Sequence, residues 1–174
     1  MTGPETESAV ATGARVGPAG PRVELAILIG LQASGKSTFC RRYLAPSHVV
    51  VSKDDFPNAR HRQARQLRLI DEALAAGRRV AVDNTNPSPY EWRPLIELAR
   101  AHGATALGYF FPPDLIGSLA RNAAREGRAR VPDVGLHATA KRLRRPLPGD
   151  GFDRLYVVRF DGTGGFDVLP ADPG

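Results

Sequence analysis

Eight consecutive residues, Gly30-Leu31-Gln32-Ala33-Ser34-Gly35-Lys36-Ser37, place glycines, a lysine and a hydroxyl at the spacing of a phosphate-binding loop. They follow an apolar run and open a helical one, the setting in which this pattern does chemistry. Glycine lets the backbone curl until successive N–H groups converge on phosphate oxygens at a helix N-terminus. Gly30, Ala33, Ser34, Gly35, Lys36, Ser37 and Thr38 are therefore the expected nucleotide contacts. Lys36 is expected to reach the β- and γ-phosphates, and the Ser37 hydroxyl to take a Mg²⁺ position, with ATP as the nucleotide. An Asn/Thr-Lys-x-Asp guanine-recognition motif is missing, and the chain is short for a motor that works between subunits.

Two further apolar runs deliver acids. Val51-Ser52-Lys53-Asp54-Asp55 puts two carboxylates at the carboxyl end of a strand, where open parallel sheets build their sites. A hydroxyl that attacks phosphorus must lose its proton, and Asp54 is the candidate base, with Asp55 as competitor and a helix N-cap as the plain alternative. Val80-Ala81-Val82-Asp83 runs into Asn84-Thr85-Asn86-Pro87. Asp83 stands where a carboxylate orders Mg²⁺, although the string also has the composition of an ordinary turn.

Arginine supplies most of the net charge of +6. Arg121, Arg125, Arg128 and Arg130 gather where a helical pattern breaks, and could close over phosphates or form a solvated face. Arg60, Arg62, Arg65 and Arg68 follow Asp54 and would border an acceptor's entrance. Cys40, the lone cysteine, reads as a small packing residue. Phe160-Asp161-Gly162-Thr163 imitates half of a phosphatase motif, but Arg159 occupies the nucleophile position and removes that chemistry.

These residues need an α/β scaffold to hold them. Candidate strands are Val23 to Ile29, His48 to Val51, Arg79 to Val82, Ala104 to Phe110 and Arg154 to Phe160, with helical patterns between them. The helices are expected from Lys36 to Pro46, from Ala59 to Ala76, from Pro89 to Gly103, and as a broken pair between Pro113 and Arg145. The expected fold is a single P-loop NTPase domain over residues 22–170: a parallel sheet of about five strands flanked by helices, with a helical lid. Residues 1–21 read as a disordered tail, and the end from Ala171 as a shorter one. Neither a membrane span nor a secretory leader is apparent, so a cytoplasmic location is expected.

Taken together, Gly30 to Thr38, Ser52 to Asp55, Arg79 to Pro87 and Arg125 to Pro132 resemble the kinase domain of polynucleotide 5′-hydroxyl kinases, over roughly residues 23–160. The resemblance implies ATP-dependent phosphorylation of a hydroxyl, with Asp54 as general base, Asp83 as the acid after the third strand, and Arg125 as the lid arginine. Arg121 is its near competitor and a further nucleotide contact. Ser52 replaces the family's usual asparagine, and Pro57 an arginine that some members carry; both positions bear on acceptor contacts. The implied acceptor is a nucleic-acid 5′ end. Related domains phosphorylate antibiotics, sugars or nucleotides, and a third possibility is an ATP-hydrolysing binding module. No phosphatase or ligase domain is evident, which implies a stand-alone kinase with no obligate protein partner.

Overall fold

From Leu25 to Ile29 the first strand, β1 (Glu24–Ile29), is completely buried, because helices cover both faces of the sheet. Its side chains alternate between two layers. Leu25, Ile27 and Ile29 join Ile70, Leu74, Trp92 and Leu95 on one face. Ala26 and Leu28 meet Phe39, Cys40, Leu44 and Phe111 on the other. The computed structural model describes residues 22–172, and the tail expected at 1–21 lies outside them.

The other strands are β2 (Val49–Val51), β3 (Val80–Val82), β4 (Thr105–Phe110), β5 (Arg154–Phe160) and β6 (Phe166–Pro170), in the spatial order β2-β3-β1-β4-β5-β6. The first five are mutually parallel where they pair, and β6 runs antiparallel to β5. Register brings the chemistry to one edge: Val51 and Ile27 both pair with Val82, so Ser52, Asp83 and Gly30 leave the sheet on the same side.

A sixth strand, antiparallel at the edge, adds to the expected parallel sheet of about five. Phe166–Pro170 is short and ends in proline, which an edge strand tolerates. It follows a turn in which Asp161 accepts hydrogen bonds from the N–H groups of Thr163 and Gly165 and from the Thr163 hydroxyl. The phosphatase-like string is thus a hairpin turn. Phe166 and Phe160 stack at 5.3 Å and cover the phosphate-binding loop, where a Cβ on Gly35 would stand 2.8 Å from the Phe160 ring.

Helix α1 (Lys36–Phe39) passes into a π-helical turn at Cys40–Leu44 before Pro46. Helix α2 (Arg62–Ala75) begins later than its apolar pattern suggested, since His61, in the left-handed conformation, interrupts the helical backbone just before it. Helix α3 (Pro89–Ala101) opens with a capping box between Ser88 and Glu91. The expected broken pair is α4 (Leu115–Ala123) and α5 (Asp133–Arg142). No helix among the described residues is long and apolar enough to cross a membrane.

Candidate functional site

Gly30 shows why this loop lies where it does. A Cβ there would stand 2.9 Å from Cβ of Phe111, and its N–H donates to the Thr85 carbonyl at 2.9 Å. Ala33 and Gly35 both take positive φ, 55° and 95°, which curls the loop into its phosphate-cradling shape. Lys36 is 7% exposed and folds back onto the loop, donating to the Leu31 carbonyl and to Ser34 Oγ. Desolvation lowers its ammonium to a pKa of about 8 against the pull of Asp83; Arg125 adds to the lowering and Asp54 opposes it.

Asp83 faces that lysine from the end of β3. Burial raises its carboxyl, while a hydrogen bond from the Ser37 hydroxyl and the charge of Lys36 pull it down. The residues after it explain how an acid, a loop and a second strand are held together. Asn86, buried and at φ 41°, donates to the Leu28 carbonyl at 2.8 Å. Asn84 accepts from the Lys53 N–H and donates to Gln66, which is 1% exposed on α2. The Asp-Asn-Thr-Asn string therefore supplies one carboxylate to the site and uses its other members as ties.

Asp54 reaches the same cavity, of about 850 Å³, which Lys36, Ser37, Asp83, Lys53 and Arg125 also line. Its side chain is 95% exposed and lies 3.9 Å from Arg62 Nη2, which also donates to the Lys53 carbonyl at 2.7 Å. Asp55 sits in the same turn without lining the cavity. Of the second arginine set, only Arg62 lines it. Arg65 lies over the Phe56 ring, Arg68 pairs with Glu72, and Arg60 precedes the helix.

The two lid candidates separate. Arg125 follows α4 and lines the cavity with Arg128; Asn122, fully buried, holds their connector by accepting from the Val131 N–H and donating to its carbonyl. Arg121 braces the loop from outside the cavity lining, donating to the Ala33 carbonyl at 2.6 Å and lying over the Phe160 ring. Thr38 is half-buried one residue beyond the lining, and Arg130 is exposed outside it. Cys40 is buried, and its thiol is pushed up to about 12, so it packs and does not react.

Several members of the site escape a reading by residue type. Gln66 leaves one trace: it lies on the apolar stripe of α2, four residues before Ile70 and eight before Leu74. Gln32 and the ion pair of Glu91 with Arg142 leave none, because their partners lie far along the chain, and Asn122 leaves none although Val131 is only nine positions on.

An AAA domain family model matches residues 25–146, most of the chain, and the chain belongs to this family. A protein of Acanthamoeba polyphaga mimivirus that carries the name of a bifunctional polynucleotide phosphatase/kinase is 27% identical over 144 residues, covering 79% of this chain. The chain spans 33% of that relative's length. Chaetomium thermophilum Kti12, solved in complex with ADP-AlF3, superposes with a TM-score of 0.65 at 16% identity, over 79% of this chain and 89% of that one. A gluconokinase of Sinorhizobium meliloti gives 0.57 at 18%, over 79% and 83%. These likenesses establish the fold, a mostly parallel sheet flanked by helices with a P-loop after its first strand.

Because the free site holds Lys36 near a pKa of about 8, nucleotide affinity should depend on pH. Bound phosphate favours the charged ammonium, so above that value binding must take up a proton. Affinity should therefore fall as pH rises through this region, by up to about tenfold per unit. Calorimetric titration with ADP from neutral to alkaline pH should show this decline in the native protein and a flat profile in Lys36→Arg. A native profile that stays flat contradicts the buried-lysine account.

Proposed function

We propose that this chain is an ATP-dependent kinase that transfers the γ-phosphate to a hydroxyl, and that its acceptor is the 5′ end of a polynucleotide. One observation carries the reading: the phosphate-binding lysine and the exposed carboxylate of Asp54 line one cavity, with a surplus of cations around them. A nucleotide held along Lys36 presents its terminal phosphate to that cavity. A hydroxyl entering beside Asp54 loses its proton to the carboxylate as it attacks phosphorus, and ADP departs with the bonding pair. Arg125 is suited to stabilise charge spreading over the transferring group, because it borders the cavity near Lys36.

Ser37 and Asp83 offer two hard oxygen ligands in contact with one another, and no group of three or more His, Cys, Asp or Glu among the described residues could hold a metal by itself. That poverty of ligands suits Mg²⁺, which keeps waters and phosphate oxygens in its shell. When bound, the ion would neutralise β- and γ-phosphate charge. Asp83, raised by burial, would hold it best once fully deprotonated.

The polynucleotide part rests on charge and on the mimivirus relative. Lys36, Lys53, Arg62, Arg125, Arg128 and Arg142 line the cavity against Asp54, Asp83 and Glu91, leaving an excess of three positive charges. An acceptor with its own phosphates fits that balance better than a neutral alcohol.

Asp54→Asn should bind ATP normally and lose transfer by on the order of a hundredfold or more, measured with γ-labelled ATP and a 5′-hydroxyl oligonucleotide. Asp55→Asn should stay near the native rate; if it is the crippled variant, the base is misassigned. Oligonucleotide affinity should fall with salt, by about 0.7 logarithmic units per logarithmic unit of salt for each neutralised phosphate. Arg62→Ala should flatten that slope while ATP affinity holds. Oligonucleotides that show no salt-sensitive binding and take no phosphate would transfer the reading to a small hydroxyl acceptor.

A further inference from the structure

Among the described residues no hydrogen bond reaches the Asp54 carboxylate, and Arg62 Nη2, at 3.9 Å, is its one ion-pair neighbour. What places this exposed group is therefore the backbone beneath it. That backbone is a 3-10 turn of three residues, Lys53–Asp55, a form with poorer hydrogen-bond geometry than an α-helix. Its position depends on ties from outside.

Both backbone polar groups of Lys53 are tied to α2. The carbonyl accepts from Arg62 Nη2 at 2.7 Å. The N–H donates to Asn84 Oδ1 at 3.0 Å, and Asn84 Nδ2 donates in turn to Gln66 Oε1 at 2.6 Å. Only one orientation of the two amides satisfies this chain, because a backbone N–H is a fixed donor. It claims the Asn84 oxygen, which turns Nδ2 to Gln66, and Gln66 must answer with its own oxygen. A further tie, from the Asp54 N–H to Ser52 Oγ at 3.2 Å, is local to the turn.

Gln66 stands where packing alone asks for an apolar residue. With Ile70 and Leu74 it makes up the buried stripe of α2, and Arg62 lies one turn earlier on the same face. The stripe changes character along the helix: Ile70 and Leu74 join the core under the sheet, while Gln66 and Arg62 hold Lys53. A buried amide is costly unless it is bonded, and the bond that Gln66 makes leads to the turn of Asp54. Gln66 itself does not line the cavity, so it can act on the reaction only through others.

We propose that Gln66 is a positioning residue for the transfer: through Asn84 it fixes the Lys53 backbone, and with it the point from which the Asp54 carboxylate reaches the attacking hydroxyl. This rests on the kinase reading above. The carboxylate must lie within hydrogen-bond reach of the hydroxyl as the O–P bond forms, and a misplacement of about 1 Å costs on the order of a hundredfold. Gln66 should therefore govern kcat and leave the binding of ATP and acceptor alone.

The test is a double-mutant cycle on transfer from γ-labelled ATP to a 5′-hydroxyl oligonucleotide, with the native protein, Gln66→Met, Asp54→Asn and the double variant. Methionine keeps the length of the side chain and removes its acceptor oxygen. Gln66→Met should lower kcat by about tenfold or more, with KM for ATP and for the oligonucleotide within about twofold of native. In the Asp54→Asn background the same change should cost less than about twofold, since no carboxylate is left to misplace. A residue that merely supports the fold would lower both backgrounds alike. Full kcat in Gln66→Met overturns the inference, as does an equal loss with and without the Asp54 carboxylate, or a defect confined to KM. Should Gln66→Met fail to fold, Asn84→Ala, at a half-buried position, carries the same cycle with kcat as the readout and the same two outcomes. A protein that phosphorylates no acceptor, or whose Asp54→Asn variant transfers at the native rate, removes the reading beneath and this inference with it. A kinase that depends on Asp54 and is indifferent to Gln66 removes this inference alone.

Discussion

An ammonium group held away from water in a loop made largely of backbone is the constraint that the rest of this site answers. Burying an unpaired charge costs several kcal/mol even after relaxation. Lys36 offsets part of that cost through Leu31 and Ser34, and through the field of Asp83 and Asp54. The residual strain appears as its lowered pKa. A polyphosphate beside the ammonium would relieve it.

The loop keeps this arrangement because it is tied on each side. Thr85 and Asn86 fasten it to β3, Arg121 and the Phe160–Phe166 stack cover it from the far edge of the sheet, and Gln32 reaches to α5. The lid is in turn joined to the start of α3, where Arg142 pairs with Glu91 and the Arg144 N–H donates to the Pro87 carbonyl. The ties between the loop, its neighbouring strands and the lid thus pass through a few backbone carbonyls near the carboxyl ends of β1 and β3. A shift of the lid would reach the loop through Ala33 and Gln32.

Much of this was legible in the residues. The phosphate-binding loop reads directly because its chemistry needs glycine, lysine and a hydroxyl at short range. The first five strands read from apolar runs, continuous in β1 because that strand is buried on both faces. What the sequence hides is long-range or cancels periodicity. Strand β6 is a short exposed edge with proline at its end, so it carries no strong apolar pattern. The late start of α2 follows from His61 in a left-handed conformation, which its residue type does not announce. Arg62, Arg65 and Arg68 look alike along the chain, yet only one turns to the cavity, since helical rotation sends the others to Phe56 and Glu72. Gln32 and Thr139, separated by 107 positions, meet only once the lid has folded over the loop.

The central claim is that the carboxylate and the buried lysine share one cavity so that a terminal phosphate passes between them to a hydroxyl. The most direct measurement is stoichiometric: incubation with Mg²⁺ and γ-labelled ATP, with and without a 5′-hydroxyl oligonucleotide, and quantification of ADP, labelled acceptor and free phosphate. This account predicts labelled acceptor and ADP in equal amounts, with little turnover when the acceptor is withheld. ADP matched by free phosphate, at a rate indifferent to any hydroxyl compound, would contradict it and identify the cavity as that of a hydrolytic switch.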